Sequence, residues 1–507
     1  MNAKHNHSMS RLVLLTVGVV LSAQVLGAQS LWEEGHNIAG LATKEASGKK
    51  AHAALTGRFT SGGFRTLSEG KTLWSVGAEA EAQTQLKDLL LAGNFGFEQQ
   101  EGTEMMGSMF THPGYYPIDV LEFTPGRKSR QTYDIAGGLA WKTGTRWIPG
   151  FTARFEGTNF AKRKDLRHTT YRQEMELVPS LLFEGNGWRI GASYLFSKDS
   201  EFIQAEQIGP AKADSYYAFL DKGMRFGTYQ AWDGSGIHLA EPGVDRFPVK
   251  KISRGGALQF SLGEDLYVHA ELSRAHGEVG EKGYTWFQFP ELQWAALAVY
   301  RYRENGNSHS FKVDFRWIYT QVYENVVDKI TSGGVTTPAI LGRNRVFSDK
   351  TAEFEATYSL ENTKGVLLEA SLFIDRNNSL STPIFPSIDR DSGTHLFFSL
   401  GAQVPVGQWE LKAGLLTGGG AEVELCEQDN DTEALVTATP FRLQEWWDLE
   451  QEVKDALRIS ASLGARYNFK RIPLYLEAGC EFTHAFYVML PPGANRQTSY
   501  LQLGYNF

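Results

Sequence analysis

Segments in which apolar and polar side chains alternate recur along most of the chain. In one of them, Ile459, Ala461 and Leu463 alternate with Ser460 and Ser462. Successive side chains of a β-strand point to opposite faces, so a period of two predicts strands with one apolar and one polar face. About eighteen such segments, with sixteen as the alternative count, follow one another between residues 49 and 507.

The connections between these segments distinguish two β architectures. A soluble antiparallel sheet that packs one face on a core would show the same alternation. A transmembrane barrel has an even number of strands, short periplasmic turns and long outer loops. Short connections alternate here with long ones at roughly 100–130, 199–251, 322–349, 376–393 and 418–455. We therefore predict an all-β, transmembrane antiparallel β-barrel over 49–507.

The first residues have the order of a secretory signal peptide. Lys4 and Arg11 precede an apolar run at 12–21, and small residues follow at Gly27 and Ala28. The run is shorter than the roughly 20 residues of a membrane-spanning helix, which makes an anchor the weaker interpretation. We predict that 1–28 are removed, that 29–48 form a short periplasmic or plug-like arm, and that the barrel lies in the outer membrane of a Gram-negative bacterium.

Composition agrees with such a barrel and excludes other classes. The mean hydropathy of −0.31 is that of a polar chain, which a barrel permits because only its exterior must be apolar. The 2 cysteines are too few for a disulfide framework or a structural zinc site. A net charge of −8 and the lack of a basic block argue against nucleic acid as a partner.

The polar face of the strands carries charges of both signs. One interpretation is a charged constriction that filters solutes; the other is a paired network that fills and stiffens the interior. The candidate lumen-lining residues are Arg154, Glu156, Arg301, Arg303, Lys312, Asp314, Arg316, Arg458, Arg466, Glu477 and Glu481.

Two of the predicted loops carry features that suggest contacts. The connection at 418–455 is rich in carboxylates, which could hold calcium, although their spacing is not that of a calcium loop. Aromatic residues in 199–251 and 418–455 either grip a partner or pack within the barrel mouth. The candidate contact residues are Trp446, Trp447, Tyr216, Tyr217 and Trp232.

Short motifs resemble those of a known group. The leader ends Gly27-Ala28-Gln29, the arm contains Asn37-Ile38-Ala39-Gly40-Leu41, and the chain ends Gly504-Tyr505-Asn506-Phe507. In these features the sequence resembles an uncharacterised family of outer-membrane β-barrels of Bacteroidota. The resemblance implies a location and a fold, but no substrate and no functional residues. The alternating last strand, ending at Phe507, also looks like the signal that hands barrels to their assembly machinery.

Two functions remain open from the sequence. The barrel is either a porin-like channel or transport protein for small polar solutes, or a non-conducting platform whose loops bind a surface lipoprotein or a TonB-dependent receptor. TonB-dependent transporters carry a far larger plug than the arm at 29–48, so energy-coupled transport by this chain alone is not expected. No catalytic motif is present, and we expect neither an enzyme nor a cofactor.

Overall fold

The computed structural model describes residues 32, 35–43, 50–164, 167–206, 218–223, 229–232, 246–281, 284–332, 335–382, 389–425 and 443–506. Within these residues β-strands predominate. They are β1 (Lys50–Gly62), β2 (Thr72–Leu86), β3 (Leu89–Ser108), β4 (Asp119–Trp141), β5 (Trp147–Lys162), β6 (Arg167–Glu184), β7 (Trp188–Glu206), β8 (Ala218–Asp221), β9 (Tyr229–Trp232), β10 (Arg246–Leu262), β11 (Leu266–Glu281), β12 (Tyr284–Glu304), β13 (Asn307–Ser332), β14 (Val335–Glu361), β15 (Leu367–Ser381), β16 (Asp389–Val406), β17 (Trp409–Leu425), β18 (Arg458–Asn468), β19 (Leu474–Ala485) and β20 (Asn495–Asn506).

Eighteen of these strands, β1–β7 and β10–β20, form a closed antiparallel barrel. Each pairs with the next in chain order, and β7 pairs directly with β10. β1 pairs with β2 on one side and with β20 on the other, so Leu55 lies between Ala78 and Leu503. Because this last pairing leaves no free edge, neighbouring strands satisfy the backbone polar groups of the wall. The predicted barrel of about eighteen strands is confirmed.

The two faces of the wall have opposite character. On β18, the side chain of Leu463 is 66% exposed on the outside, whereas Arg458, at the start of the same strand, is 2% exposed on the inner face. Leu476 and Phe482 of β19 are likewise exposed, and Glu477 between them is buried. An apolar exterior with a polar interior is the arrangement that a lipid-facing barrel requires.

The connections differ between the two ends of the barrel. At one end, here called the short-turn end, adjacent strands are joined by short turns such as 185–187, 263–265 and 407–408. At the other end, the long-loop end, the connections are longer and carry β8 and β9. β8 pairs with the first residues of β4, beyond the part of β4 that pairs with β5.

Three of the predicted loops, 100–130, 322–349 and 376–393, are largely strand. β13 continues to Ser332 and β14 begins at Val335, so most of 322–349 belongs to a long hairpin. Register shifts within this hairpin, the first just after Val322, interrupt the alternation along the strand. Bulges of this kind move side chains to the opposite face, which is why the sequence pattern reads as a loop there. Register shifts between β3 and β4, the first just after Gly102, interrupt the alternation within 100–130 in the same way.

Helical structure is short among the described residues. A 3₁₀ helix spans Ile38–Thr43 and an α-helix, α1, spans Leu443–Asp455. Neither is long and apolar enough to cross a membrane. α1 lies within the connection at 418–455, which the sequence pattern predicts to be a loop.

Candidate functional site

The predicted lining residues all lie on barrel strands, at positions that alternate with the exposed apolar residues of the exterior. They differ in surroundings. Arg458 and Glu477 are buried, Arg301 and Lys312 are half-buried, and Arg303 is exposed near the short-turn end. Their role in selecting solutes stays a prediction, but their contacts can be described.

Glu477 is the acceptor at the centre of one ionic network. Arg466 Nε donates to its Oε2 at 2.6 Å, and Lys412 Nζ donates to its Oε1 at 2.9 Å. The hydroxyl of Tyr500 also donates to Oε1, at 2.9 Å. The guanidinium of Arg466 lies over the ring of Tyr475, 4.3 Å from its centroid. Strands β17 to β20 are therefore cross-linked on the inside by compensated charges.

Arg154 and Glu156 belong to a second network on the opposite side. Arg154 Nε donates to Asp134 at 2.7 Å, and its NH2 group donates to Glu156 at 2.9 Å. Glu156 also accepts from Arg172 at 2.6 Å. Among the other predicted residues, Arg316 lies 3.5 Å from Glu353. These pairings favour the paired-network interpretation of much of the lining.

Arg172, which the sequence analysis did not single out, is a fully buried charge at the barrel mouth. It contacts Glu174 at 2.7 Å and Asp199 at 2.6 Å, in addition to Glu156. Its guanidinium lies 4.7 Å from the ring centroid of Tyr115. Buried ions are tolerated when they are paired and hydrogen-bonded in this way. The sequence pattern does not mark Asp199, because it predicts a loop over 199–251, whereas β7 extends to Glu206.

The connection between β3 and β4, residues 109–118, folds into the barrel mouth and is here called the lid segment. Its backbone is held by the wall: Thr170 Oγ1 donates to the carbonyl of Met109 at 2.7 Å, and the amide of Thr111 donates to Glu201 at 2.7 Å. Tyr116 donates its hydroxyl to Asp199. Burial, reinforced by the Asp199 charge, raises the pKa of Tyr116 well above its usual value, so the phenol stays protonated.

Apolar side chains of the lid segment form a core with the inner face of the wall. This group, the mouth cluster, joins the lid to β7 and to β10–β14. A filled apolar core excludes water, so the mouth is closed over this part of the lumen. The cluster consists of Met109, Phe110, Tyr116, Ile118, Val120, Ile203, Ala205, Leu220, Phe247, Val249, Val279, Trp286, Phe287, Phe289, Val322, Val346 and Phe347.

A second core, the helix cluster, contains two of the candidate contact residues. Trp446 of α1 is 1% exposed, and its ring lies 5.9 Å from that of Phe123. Trp447 is also buried in this core, which includes Phe64 and Phe219. Their surfaces are taken up by intramolecular packing, as expected of residues that cap the mouth.

The remaining contact residues are only partly described. Trp232 is the last residue of β9, and its side chain lies outside the described residues. Tyr216 and Tyr217 lie outside them altogether, as does Phe507.

Carboxylates of α1 serve as internal acceptors. Glu450 accepts from the amide of Leu67 at 3.1 Å, and Glu452 accepts from the amide of Leu490 at 2.9 Å. These contacts attach the helix to the connections that flank β1 and β20. Four of the carboxylates behind the calcium expectation for 418–455, Glu427, Asp429, Asp431 and Glu433, lie outside the described part of the chain, and calcium binding stays a prediction.

The described residues of the predicted arm lie inside the barrel at the short-turn end. Trp32 Nε1 donates to Ser261 at 3.2 Å, and Asn37 Nδ2 donates to Gln259 at 3.2 Å. Apolar residues of the arm pack on the inner faces of β3–β6, β11 and β12. This arm cluster consists of Trp32, Ile38, Ala39, Leu41, Ala42, Leu90, Ala140, Ile148, Leu182, Tyr267, Leu297 and Val299.

A cavity of about 340 Å³ remains against the inner wall of β1–β4 and β20. Arg58 and Glu79 line it, with Glu98 and Asp134 from the adjacent strands. Glu79 is exposed to this space, although it faces inward, and accepts from Gln502 at 3.3 Å. Charged side chains of this kind are typical of the lining of a hydrated passage for ions.

Comparison with solved structures finds similarities at low identity. The FrpB iron transporter from Neisseria meningitidis matches at 8% identity over 90% of this chain and 82% of that chain, with a TM-score of 0.44. The copper transporter OprC matches at 10% over 91% and 83%, with a TM-score of 0.42. A mutant ferric enterobactin receptor from Pseudomonas aeruginosa matches at 10% over 90% and 80%, with a TM-score of 0.41. At these values no activity transfers to this chain.

Comparison with curated proteins finds no match. A family model does match, over residues 39–507, which are the second half of the predicted arm and the whole predicted barrel. The chain therefore belongs to the family described as a family of unknown function, DUF6850.

Proposed function

We propose that this protein is a gated channel for small polar solutes in the outer membrane of a Gram-negative bacterium. The observation that carries the proposal is the cavity on the inner wall of β1–β4 and β20. A barrel that served only as an anchor would have no need of a hollow lined by carboxylates of which one, Glu79, is exposed, since such a group is costly unless it is hydrated. The cavity therefore favours passage of polar solutes over simple anchoring.

The location follows from the exterior of the barrel. Apolar side chains cover the outer face on every side, and a closed sheet is the β architecture that can cross lipid. In this orientation the short-turn end faces the periplasm and the long-loop end faces the outside. We further propose that residues 1–28 direct secretion and that the C-terminal segment through Phe507, which includes β20, engages the barrel assembly machinery.

The lid segment supplies the gate in this proposal. It is attached to the wall by a few hydrogen bonds and by the mouth cluster, and it has no covalent attachment other than its ends. Displacement of the lid would connect the outside with the interior of the barrel. The protein in the described conformation corresponds to the closed state.

The cavity charge predicts a preference for cations. Three carboxylates line the cavity, those of Glu79, Glu98 and Asp134. The cationic residue in the same lining is Arg58. Asp134 is largely compensated by Arg154, so the exposed Glu79 dominates the field that a passing ion meets.

Single-channel conductance in a planar bilayer tests the proposal. The wild-type protein should show low or intermittent conductance, and a variant with 110–116 replaced by a short Gly/Ser linker should show steady, cation-selective conductance. Glu79→Gln in that background should reduce the selectivity, whereas Glu278→Gln, on the outer face of β11, should not. Silence from both proteins, each shown to be folded by heat-modifiable migration, would reject the channel.

One observation favours the non-conducting platform as a second candidate. Tyr487 and Met489, in the connection between β19 and β20, are 94% and 89% exposed at the long-loop end. Exposed apolar tips of this kind are typical of surfaces that bind a partner such as a surface lipoprotein or receptor. A photoreactive residue at position 487 should then cross-link to one surface protein in cells, and one at position 364, at the short-turn end, should not.

A further inference from the structure

Two histidines and a carboxylate meet where the arm contacts the barrel wall. His36 comes from the arm, and His269 and Glu271 come from the inner face of β11. His36 Nε2 lies 3.6 Å from Glu271 Oε2, and His269 Nε2 lies 3.7 Å from the same oxygen. One ligand atom from each of the three residues lies within 4.8 Å of the others.

These separations are close to those of a metal site. Zinc is bound by imidazole nitrogen and carboxylate oxygen at about 2.0–2.2 Å, which places tetrahedral ligand atoms about 3.3–3.5 Å apart. The two nitrogen-to-oxygen separations exceed this edge by only a few tenths of an ångström, and the two imidazole nitrogens lie within 4.8 Å of each other. Side-chain rotations would bring the three ligand atoms to this spacing. Three protein ligands also leave a fourth position for water, as in many zinc sites that are not purely structural.

The arm is fixed so that His36 reaches this point. A Cβ atom at Gly35 would lie 2.1 Å from the hydroxyl of Tyr267, so the close approach of the arm to β11 depends on glycine at this position. The hydrogen bonds of Trp32 to Ser261 and of Asn37 to Gln259 hold the residues on either side. His36 is therefore placed by the fold and is not a freely moving surface group.

The electrostatic surroundings favour a cation. Glu176 of β6 interacts electrostatically with both His36 and Glu271, whereas the neighbouring Glu174 is paired with Arg172 at 2.7 Å. Arg154 is the cationic group that interacts with Glu176 from β5. With neutral imidazoles the carboxylates outnumber the cations, and a divalent ion would offset this excess.

His269 also has a second contact of the kind that supports metal ligands. The side-chain Nε2 of Gln259 lies 3.4 Å from Nδ1 of His269. When Nε2 binds a metal, Nδ1 carries the proton and needs an acceptor. Rotation of the Gln259 amide by half a turn would provide its oxygen. The hydrogen bond from Asn37 Nδ2 to that oxygen would then be lost, and the carbonyl of Leu181, at 3.4 Å, would be the remaining acceptor for Asn37.

We propose that His36, His269 and Glu271 bind a divalent transition-metal ion of the zinc type, which clamps the arm to β11. Mixed imidazole and carboxylate ligands suit zinc and its first-row neighbours better than calcium or magnesium. The proposal does not depend on conductance, because the same clamp would operate in a channel or in a platform.

Direct binding to the full-length, metal-stripped protein in detergent is the first test. Calorimetry with Zn²⁺ should give one site per chain, and Co²⁺ should give the visible absorption of a low-coordinate site with nitrogen ligands. His36→Gln, His269→Gln and Glu271→Gln should each abolish stoichiometric binding. His276→Gln is the matched control, since His276 lies on the same strand, faces outward and pairs with Glu278 at 3.2 Å.

Heat-modifiable migration establishes that each variant is folded, so that lost binding reflects a lost ligand. Absence of stoichiometric Zn²⁺ and Co²⁺ binding by the folded wild-type protein would overturn the proposal. Equal losses in His276→Gln and His36→Gln would overturn it as well, because the ion would then bind elsewhere.

The clamp itself has a separate readout. Zn²⁺ should slow amide hydrogen exchange across 35–43 in the wild-type protein and leave it unchanged in His36→Gln. Gln259→Glu should tighten Zn²⁺ binding by about tenfold, because a carboxylate is a better acceptor for the Nδ1 proton. Binding without protection of the arm would overturn the clamp.

Discussion

Arg466 Nε donates to Glu477 Oε2 at 2.6 Å, which joins β18 to β19 across the inner face of the barrel. The two residues are directly paired in the strand register. Glu477 is also the acceptor for Lys412, which lies 3.6 Å from Glu410 as well. Glu477 is therefore the carboxylate that both cations share, and its charge contributes directly to the charge of this inner wall.

Glu477→Gln should make the lumen more positive near β18 without a change in shape. The amide can still accept one hydrogen bond, but Lys412 and Arg466 lose their shared counter-charge. We expect a shift in ion selectivity toward anions and a loss of about 1–3 kcal/mol in the free energy of unfolding. Conductance and urea titration in lipid vesicles measure the two effects. Glu304→Gln, at an exposed strand end, should change neither, and equal shifts in the two variants would contradict this assignment.

Adjacent positions of β18 test which face meets the lipid. Leu463→Arg places a charge on the apolar exterior and should cost about 2–4 kcal/mol near the bilayer midplane. Ser462→Arg lies on the inner face, paired in register with Glu481, and should assemble normally. The yield of heat-modifiable barrel in outer-membrane vesicles measures both. Similar assembly defects from the two substitutions would disprove the assigned facing.

Much of the barrel could be predicted from the sequence because each strand is recognised from the alternation of its own neighbouring residues. Strand number and facing follow from a period of two, which Leu463 and Ser462 preserve. The part of the β13–β14 hairpin at 322–349 reads as a loop because its register shifts disturb that period. In such regions backbone pairing continues where side-chain alternation does not.

The interior could not be predicted in the same way. The contacts of Trp446 with Phe123, and of His36 with His269 and Glu271, join residues far apart in the chain. Alternation says which residues face inward, but it does not say which distant loop packs on them. The sequence therefore left two uses open for Trp446, and the structure buries it.

Trp446→Ala should loosen the cap of the barrel. The side chain is almost fully buried in the helix cluster. Its removal leaves a cavity, which should lower the free energy of unfolding by about 3–5 kcal/mol. If local unfolding of the cap opens the mouth, conductance should rise in frequency or amplitude. Glu445→Ala, at the exposed neighbouring position of α1, should not have this effect. Unchanged stability and conductance in Trp446→Ala would show that the helix cluster does not hold the cap.

The lid segment should loosen at strongly alkaline pH. The folded-state pKa of Tyr116 is raised above its unfolded value, so its contribution to stability is complete below about pH 10. That contribution is lost as the pH rises toward the folded-state pKa. Proteolysis or amide exchange of 109–118 should increase in this range, and less so in Tyr116→Phe, which has no phenol to ionise. The same alkaline response in both proteins would assign the effect to other groups.

Gly40→Ala should displace the arm from the lumen while leaving the barrel intact. A Cβ atom at Gly40 would lie 2.2 Å from the indole of Trp32, and the wall around Trp32 leaves the ring no room to retreat. Gly57→Ala in β1 is the control, since no atom lies within 4 Å of a Cβ atom there. Amide exchange across 35–43 should become faster in Gly40→Ala only, with heat-modifiable migration unchanged in both. If the arm stays protected in Gly40→Ala, the packing of Trp32 on Gly40 is not what holds the arm inside the barrel.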